Sequence, residues 1–225
     1  VHEGLRSRGF RGCTVFDCFG AGQVVSQRLF SGHSWRERPD TQQPMFSAFK
    51  IMKQLHEMLW YLSEAQVRTY DPDAAQDARE LASVITALTR DSLAELFSVD
   101  VDALHTAVRA ILIEVSEEVR ASYFAEVGHL DPSLGAGADL AGAHLRARSL
   151  CGADLRGSCL IAADLRGSDL TAVDLLGADL RDARLAGADL SAALYLTQPQ
   201  VNAAKGNADT RLPAGVSAPP HWRRR

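Results

Sequence analysis

At 225 residues, with 46% hydrophobic and 23% charged side chains and a formal net charge of −4, the chain is long enough for one or two globular units and too apolar to be disordered throughout. No stretch approaches roughly eighteen uninterrupted apolar residues, and the opening VHEGLRSRGFRG lacks the apolar centre of a signal peptide, so no membrane partner is expected and the cytoplasm is the expected location. Residues 1–130 carry 13 basic and 18 acidic side chains, 138–197 carry 6 and 8, and 198–225 carry 5 and 1, which is no nucleic-acid footprint; Arg223-Arg224-Arg225 reads as a solvated end.

The first thirty residues show a weak five-residue spacing at Leu5, Phe10, Val15, Gly20, Val25 and Phe30, with Cys13 and Cys18 two positions before Val15 and Gly20. A degenerate repeat and a short hairpin both fit it. The opening on Val1 in mid-spacing suggests a late start or lost upstream units. Cys13, Cys18, Cys151 and Cys159 form no CxxC pair, so neither a metal site nor an essential disulfide is expected.

A helical stretch comes next. Met45, Phe46, Phe49, Met52, Leu55, Leu59 and Leu62 recur at three- and four-residue spacing and predict a helix from Pro44 to near Thr69. Asp71-Pro72 supplies an N-cap and a first-turn proline for a second helix to about Thr89. A short helix over 92–97 and a long one over 102–127, stopped by Gly128, complete an antiparallel bundle. His56-Glu57 has no second histidine at the spacing a zinc protease needs, so His56 reads as a surface residue, and no P-loop, Rossmann glycine pattern or Gly-x-Ser-x-Gly occurs.

From Leu140 a leucine then falls at every fifth residue: Leu140, Leu145, Leu150, Leu155, Leu160, Leu165, Leu170, Leu175, Leu180, Leu185 and Leu190. Two residues before each stands a small side chain, with Arg148 as the exception. Asp139, Asp154, Asp164, Asp169, Asp174, Asp179 and Asp189 occupy the position just before a leucine, a regularity that points to a lattice and not to acid/base catalysis. After the last unit, Thr197 to Gly206 reads as a capped short helix, and Trp222 in Pro219-Pro220-His221-Trp222 is expected against apolar surface.

Runs such as GADLRG and AADLRGSDL resemble the pentapeptide-repeat family, whose unit is A(D/N)Lxx. The resemblance implies a right-handed quadrilateral β-helix of about three coils, a mixed fold together with the helical insertion. The expected divisions are 1–32 a degenerate coil, 33–130 the helical insertion, 131–197 the repeat and 198–225 a closing helix and tail. Positions twenty apart would stack, placing Leu140 over Leu160 and Leu180, His144 over Asp164 and Arg184, and Asp169 over Asp189. Both ends of such a stack need covering. Arg148 is expected to lock a cap by reaching Glu126 or Asp131, with Trp222 as the second candidate lock, since an unpaired buried guanidinium is costly.

The functional expectation is a non-enzymatic scaffold without cofactor that binds an unknown protein partner. Asp164, Asp169, Asp174, Asp189, Arg166 and Arg184 are the candidate interaction surface. The alternative is a DNA-mimic role at a type II topoisomerase (gyrase), with altered fluoroquinolone susceptibility. That role is weakened by the short stack and by the repeat's 6 basic against 8 acidic side chains.

Overall fold

The computed structural model describes residues 18–127 and 133–223. The chain divides into two compact units, Val1–Glu114 and Val115–Arg225. Within the spans of the first unit lie α1 (Ala21–Gln23), α2 (Gln42–Arg68), α3 (Pro72–Leu88), α4 (Leu93–Phe97) and the start of α5 (Val101–Val127). The second unit holds the end of α5, the leucine repeat and α6 (Gln198–Ala203).

Local chemistry sets the helix ends. Asp71 accepts the Asp73 N–H at 2.9 Å with Pro72 in the first turn of α3. Ser92 and Glu95 close a reciprocal capping box on α4, which satisfies two orphan N–H groups at once. Asp100 Oδ1 accepts the Ala103 N–H at 3.0 Å at the start of α5. The buried stripe of α2 is Met45, Ala48, Met52, Leu55, Met58, Leu62 and Ala65; Met45, Met52, Leu55 and Leu62 of the expected face belong to it, whereas Phe46, Phe49 and Leu59 each sit one residue off it, and Phe46 is exposed. Alanines let neighbouring backbone approach, and the larger residues beside them were the misleading signal.

The weak spacing before residue 30 does not continue as a coil. Residues 21–23 are α-helical and Val24–Leu29 form a π-helical turn, while residues 4–17 of that expected coil lie outside the described residues. His56 is not merely a surface residue: its Nδ1–H donates to the Phe19 carbonyl at 2.8 Å, and the Phe19 ring lies 6.2 Å from that of Trp60.

The leucine repeat winds with a period of twenty. Each pre-leucine residue pairs with its equivalent twenty residues on, giving the parallel rows Asp139/Cys159/Asp179, His144/Asp164/Arg184, Ser149/Asp169/Asp189 and Asp154/Asp174/Leu194. In the second row the Leu145 N–H donates to the Asp164 carbonyl and the Asp164 N–H to the Ala143 carbonyl, both at 2.9 Å. Between rows the chain makes a turn closed by the leucine carbonyl, as in Ala163 N–H to Leu160 O at 3.1 Å. The second turn residue takes a left-handed φ, 63° at Gly157 and 65° at Gly167, which is why glycine recurs there.

These pairings correct the expected right-handed quadrilateral β-helix. Among the described residues no strand and no sheet forms; the named elements are all helices, and each coil meets the next through isolated single-residue bridges. The physical reason is length. A five-residue unit that spends two residues on a turn leaves three, of which only the middle one bridges, too little for a ladder.

All eleven leucines are buried, with Tyr195 completing the column of Leu155 and Leu175. Inward Ser158 and Ser168 donate to the carbonyls of Leu155 (2.7 Å) and Leu145 (2.6 Å), so their hydroxyls are satisfied. After Leu194 the chain enters α6, where Thr197 and Gln200 form a second capping box and Gln200 Nε2 donates to the Leu175 and Ala178 carbonyls at 2.8 and 2.9 Å. Lys205 then bridges Arg184 and Arg211 bridges Asp189, adding a level to two rows. Trp222 is 4% exposed in the same core, and its Nε1–H donates to the Ala204 carbonyl at 2.9 Å. No helix among the described residues is long and apolar enough to cross a membrane.

A Cβ on Gly206 would lie 2.5 Å from the Trp222 ring. Gly206→Ala should therefore destabilise by about 1–3 kcal/mol and Trp222→Ala by about 3–5 kcal/mol. Urea unfolding followed by far-UV circular dichroism measures both, and an unchanged Gly206→Ala midpoint would show that the indole does not occupy that position.

Candidate interaction surface

The seven pre-leucine aspartates share one local geometry. Each carboxylate accepts the backbone N–H two residues on: Ala141, Arg156, Arg166, Thr171, Leu176, Arg181 or Ser191, at 2.8 to 3.4 Å. A short acidic side chain is needed because only it folds back onto that turn N–H. Where the second residue on is polar it closes a fork. Arg166 holds Asp164 at 2.7 and 2.5 Å, Arg181 holds Asp179 at 2.9 and 2.6 Å, and Thr171 and Ser191 donate to Asp169 and Asp189 at 2.6 Å. The Arg166 hydrogen bonds hold the Asp164 carboxyl well below the usual range, and Arg181 does the same to Asp179.

The rows define four walls, and the sequence candidates fall on three of them. Asp164, Arg166 and Arg184 share the wall of His144. Asp169 and Asp189 stack on the wall of Ser149, where Arg211 pairs with Asp189 at 2.7 Å and relieves the expected like-charge contact. Asp174 lies on the wall of Asp154, and its side chain is fully buried. As an exposed contact residue Asp174 is therefore corrected: its own chain covers it.

The cover is the C-terminal part of α5. Val115 and Val119 lie buried beside Ser116 and Arg120 on one face of that helix. Ser116 Oγ–H donates to Asp174 Oδ2 at 2.5 Å, and Arg120 Nε–H donates to the Gly152 carbonyl at 2.8 Å. Arg120 also stands 3.6 Å from Asp154, and Arg156 links the two acids at 2.5 Å to Asp154 and 3.6 Å to Asp174. Burial pushes Asp174 up to about 6, only partly offset by the Ser116 and Leu176 hydrogen bonds and the Arg156 charge. Burial also acts against ionisation of Asp154, but the Arg156 hydrogen bonds and the Arg120 charge prevail and hold it low.

Ser116 and Arg120 were missed in the sequence because they interrupt an apolar helix face. The signal was on the other side: Gly152, Ala172 and Ala192 are all small at one corner, and Leu194 puts a large aliphatic side chain in a pre-leucine row. Arg148 occupies an inward slot in the sequence, yet it is exposed, so no buried guanidinium needs compensation. Of the expected partners, Asp131 lies outside the described residues and the Glu126 side chain is likewise undescribed. Among the described residues Cys151 and Cys159 are free thiols, and no group of three or more His, Cys, Asp or Glu is placed to hold a metal.

A five-residue lattice with its polar positions tied into turns, and one wall covered by a helix, defines a repeat protein. The family model for pentapeptide repeats matches in eight copies over residues 136–171 and 158–194. The chain is also 52% identical over 223 residues to Uncharacterized protein YybG of Bacillus subtilis (strain 168), covering 99% of this chain and 79% of that protein. The chain belongs to the pentapeptide-repeat family.

Asp174 generates a pH prediction. Its folded value of about 6 lies above the ordinary 3.8, so the folded state holds the proton more tightly and stability from this group falls as pH rises from about 4 to about 6. Relative to Asp174→Asn, the parent should lose about 2 kcal/mol between pH 4 and pH 7. Urea unfolding of both proteins at the two pH values gives the difference; a constant gap would mean that folding does not raise the Asp174 pKa.

Proposed function

We propose that this protein is a non-enzymatic, cytoplasmic scaffold that binds a protein partner through the open walls of its repeat. The observation that carries the reading is the engagement of every pre-leucine carboxylate with its own turn N–H. Acid/base or nucleophilic chemistry needs groups free to converge on a substrate, and here the recurrent acids are held in lattice geometry on walls. A wall suits a different task, since it presents a fixed array of charges and small side chains on a rigid frame. The end of α5 supports this in cis: its wall binds a helix face through a serine and an arginine.

The topoisomerase alternative draws no support from the walls. A duplex mimic needs a continuous acidic field, whereas arginines neutralise Asp154, Asp164, Asp179 and Asp189.

The test is affinity capture with the full chain as bait, run beside three baits that each carry charge reversals on one open wall. We expect stoichiometric retention of a protein by the parent and at least a tenfold drop for one of the three variants. No retained protein, or equal retention by all four baits, would overturn the reading.

A further inference from the structure

Charge is unevenly shared among the open walls. On the wall of His144, four cations, Arg146, Arg166, Arg184 and Lys205, stand against one row carboxylate, Asp164. Asp182, at its margin, holds Lys205 at 2.7 Å, and Asp164 holds Arg166. Arg146, Arg184 and His144 are exposed, and their side chains enter no hydrogen bond or ion pair among the described residues. The wall of Asp139 and Asp179 offers Arg181 alone as a cation, and the wall of Asp169 and Asp189 offers Arg148 and Arg211 against its two row carboxylates. One wall is thus basic on a chain whose formal net charge is −4.

We propose that this basic wall is the partner-binding surface and that it takes a short acidic segment of a protein, a run of Asp and Glu in extended conformation. The proposal rests on the scaffold reading above and specifies its partner. Coils stack at about 4.8 Å, so the cations from Arg146 to Lys205 cover roughly 15 Å, the length of about four or five extended residues. Guanidinium groups with vacant donors form bidentate pairs with carboxylates, and Arg146 and Arg184 have all five N–H donors uncommitted among the described residues. The wall carries no Phe, Tyr or Trp on which a base could stack, so a nucleic acid is the poorer fit.

The probe is a fluorescein-labelled peptide with six consecutive glutamates, titrated with the full chain at 50 mM and 200 mM salt. A labelled oligothymidylate of equal charge serves as the competing class. The parent should bind the peptide saturably and more weakly at high salt. Arg146→Glu/Arg184→Glu should weaken binding at least tenfold, while Arg79→Glu/Arg109→Glu, the same change in net charge on exposed positions of the helical unit, should change it less than twofold. Circular dichroism and thermal melting confirm that both variants fold. Absent saturation, equal loss in both variants, or tighter binding of the oligonucleotide would overturn the proposal. A captured partner that the Arg146→Glu/Arg184→Glu bait still retains would overturn the wall and leave the scaffold reading intact; no captured protein on any bait would remove the scaffold reading itself.

Discussion

Everything in the second unit depends on the twenty-residue register between coils. A leucine at every fifth position buries nothing by itself; it does so when its own N–H is held by the carbonyl of a residue one coil on. Leu145 to Asp164, Leu165 to Arg184 and Leu185 to Lys205 are three successive links of that kind, at 2.9, 2.9 and 2.7 Å. The last link spans one residue more than the first two, and Leu190 to Arg211 spans two more than them. These small slips let the C-terminal segment serve as a further level on two walls while α6 and Trp222 close the core beneath it. The tail is therefore built by the rule of the repeat, with loops inserted where a full coil would have continued.

The same register limits what the repeat can do. Because turns consume so much of each unit, backbone N–H groups fall outside the coil-to-coil bonds, and the pre-leucine aspartates accept them. The commonest charged residue of the lattice thereby becomes a structural acceptor. What remains for binding are the side chains that the turns do not claim, and these differ from wall to wall. On the wall of Asp154 the docked helix uses a backbone carbonyl, an acid and small corner residues; on the wall of His144 the unclaimed groups are arginines. Wall identity is thus set by the few units that depart from the repeat consensus, such as His144, Arg146 and Arg184.

How much of this could be read in the sequence depends on the strength of each local signal. The leucine columns and the pairing of residues twenty apart were legible because the five-residue period has no miss from Leu140 to Leu190. The expectation of sheet walls came from resemblance alone and failed because the turns leave each unit one bridging residue. The spacing of Gly20, Val25 and Phe30 misled for lack of a uniform central side chain, and those residues lie in or beside helical turns. The helix on the Asp154 wall was hidden because docking is a long-range event: Ser116 and Asp174 are 58 residues apart, and neither stands out in its own segment.

Asp174 raises the question of why an acid is kept where burial opposes its charge. An apolar replacement is often neutral or stabilising for a buried ion, and the same row does hold a buried leucine at 194. The two positions differ in the path of the chain just beyond them. After Leu194 the chain bends toward α6 without the regular turn, whereas after Asp174 the turn continues and the Leu176 N–H reaches Asp174 Oδ1 at 2.8 Å. A leucine at 174 would leave that amide and the Ser116 hydroxyl without their acceptor beneath a helix, where unsatisfied donors are expensive. The carboxyl is retained for its acceptor oxygens, and a proton lowers the cost of burying it while keeping one oxygen for each donor.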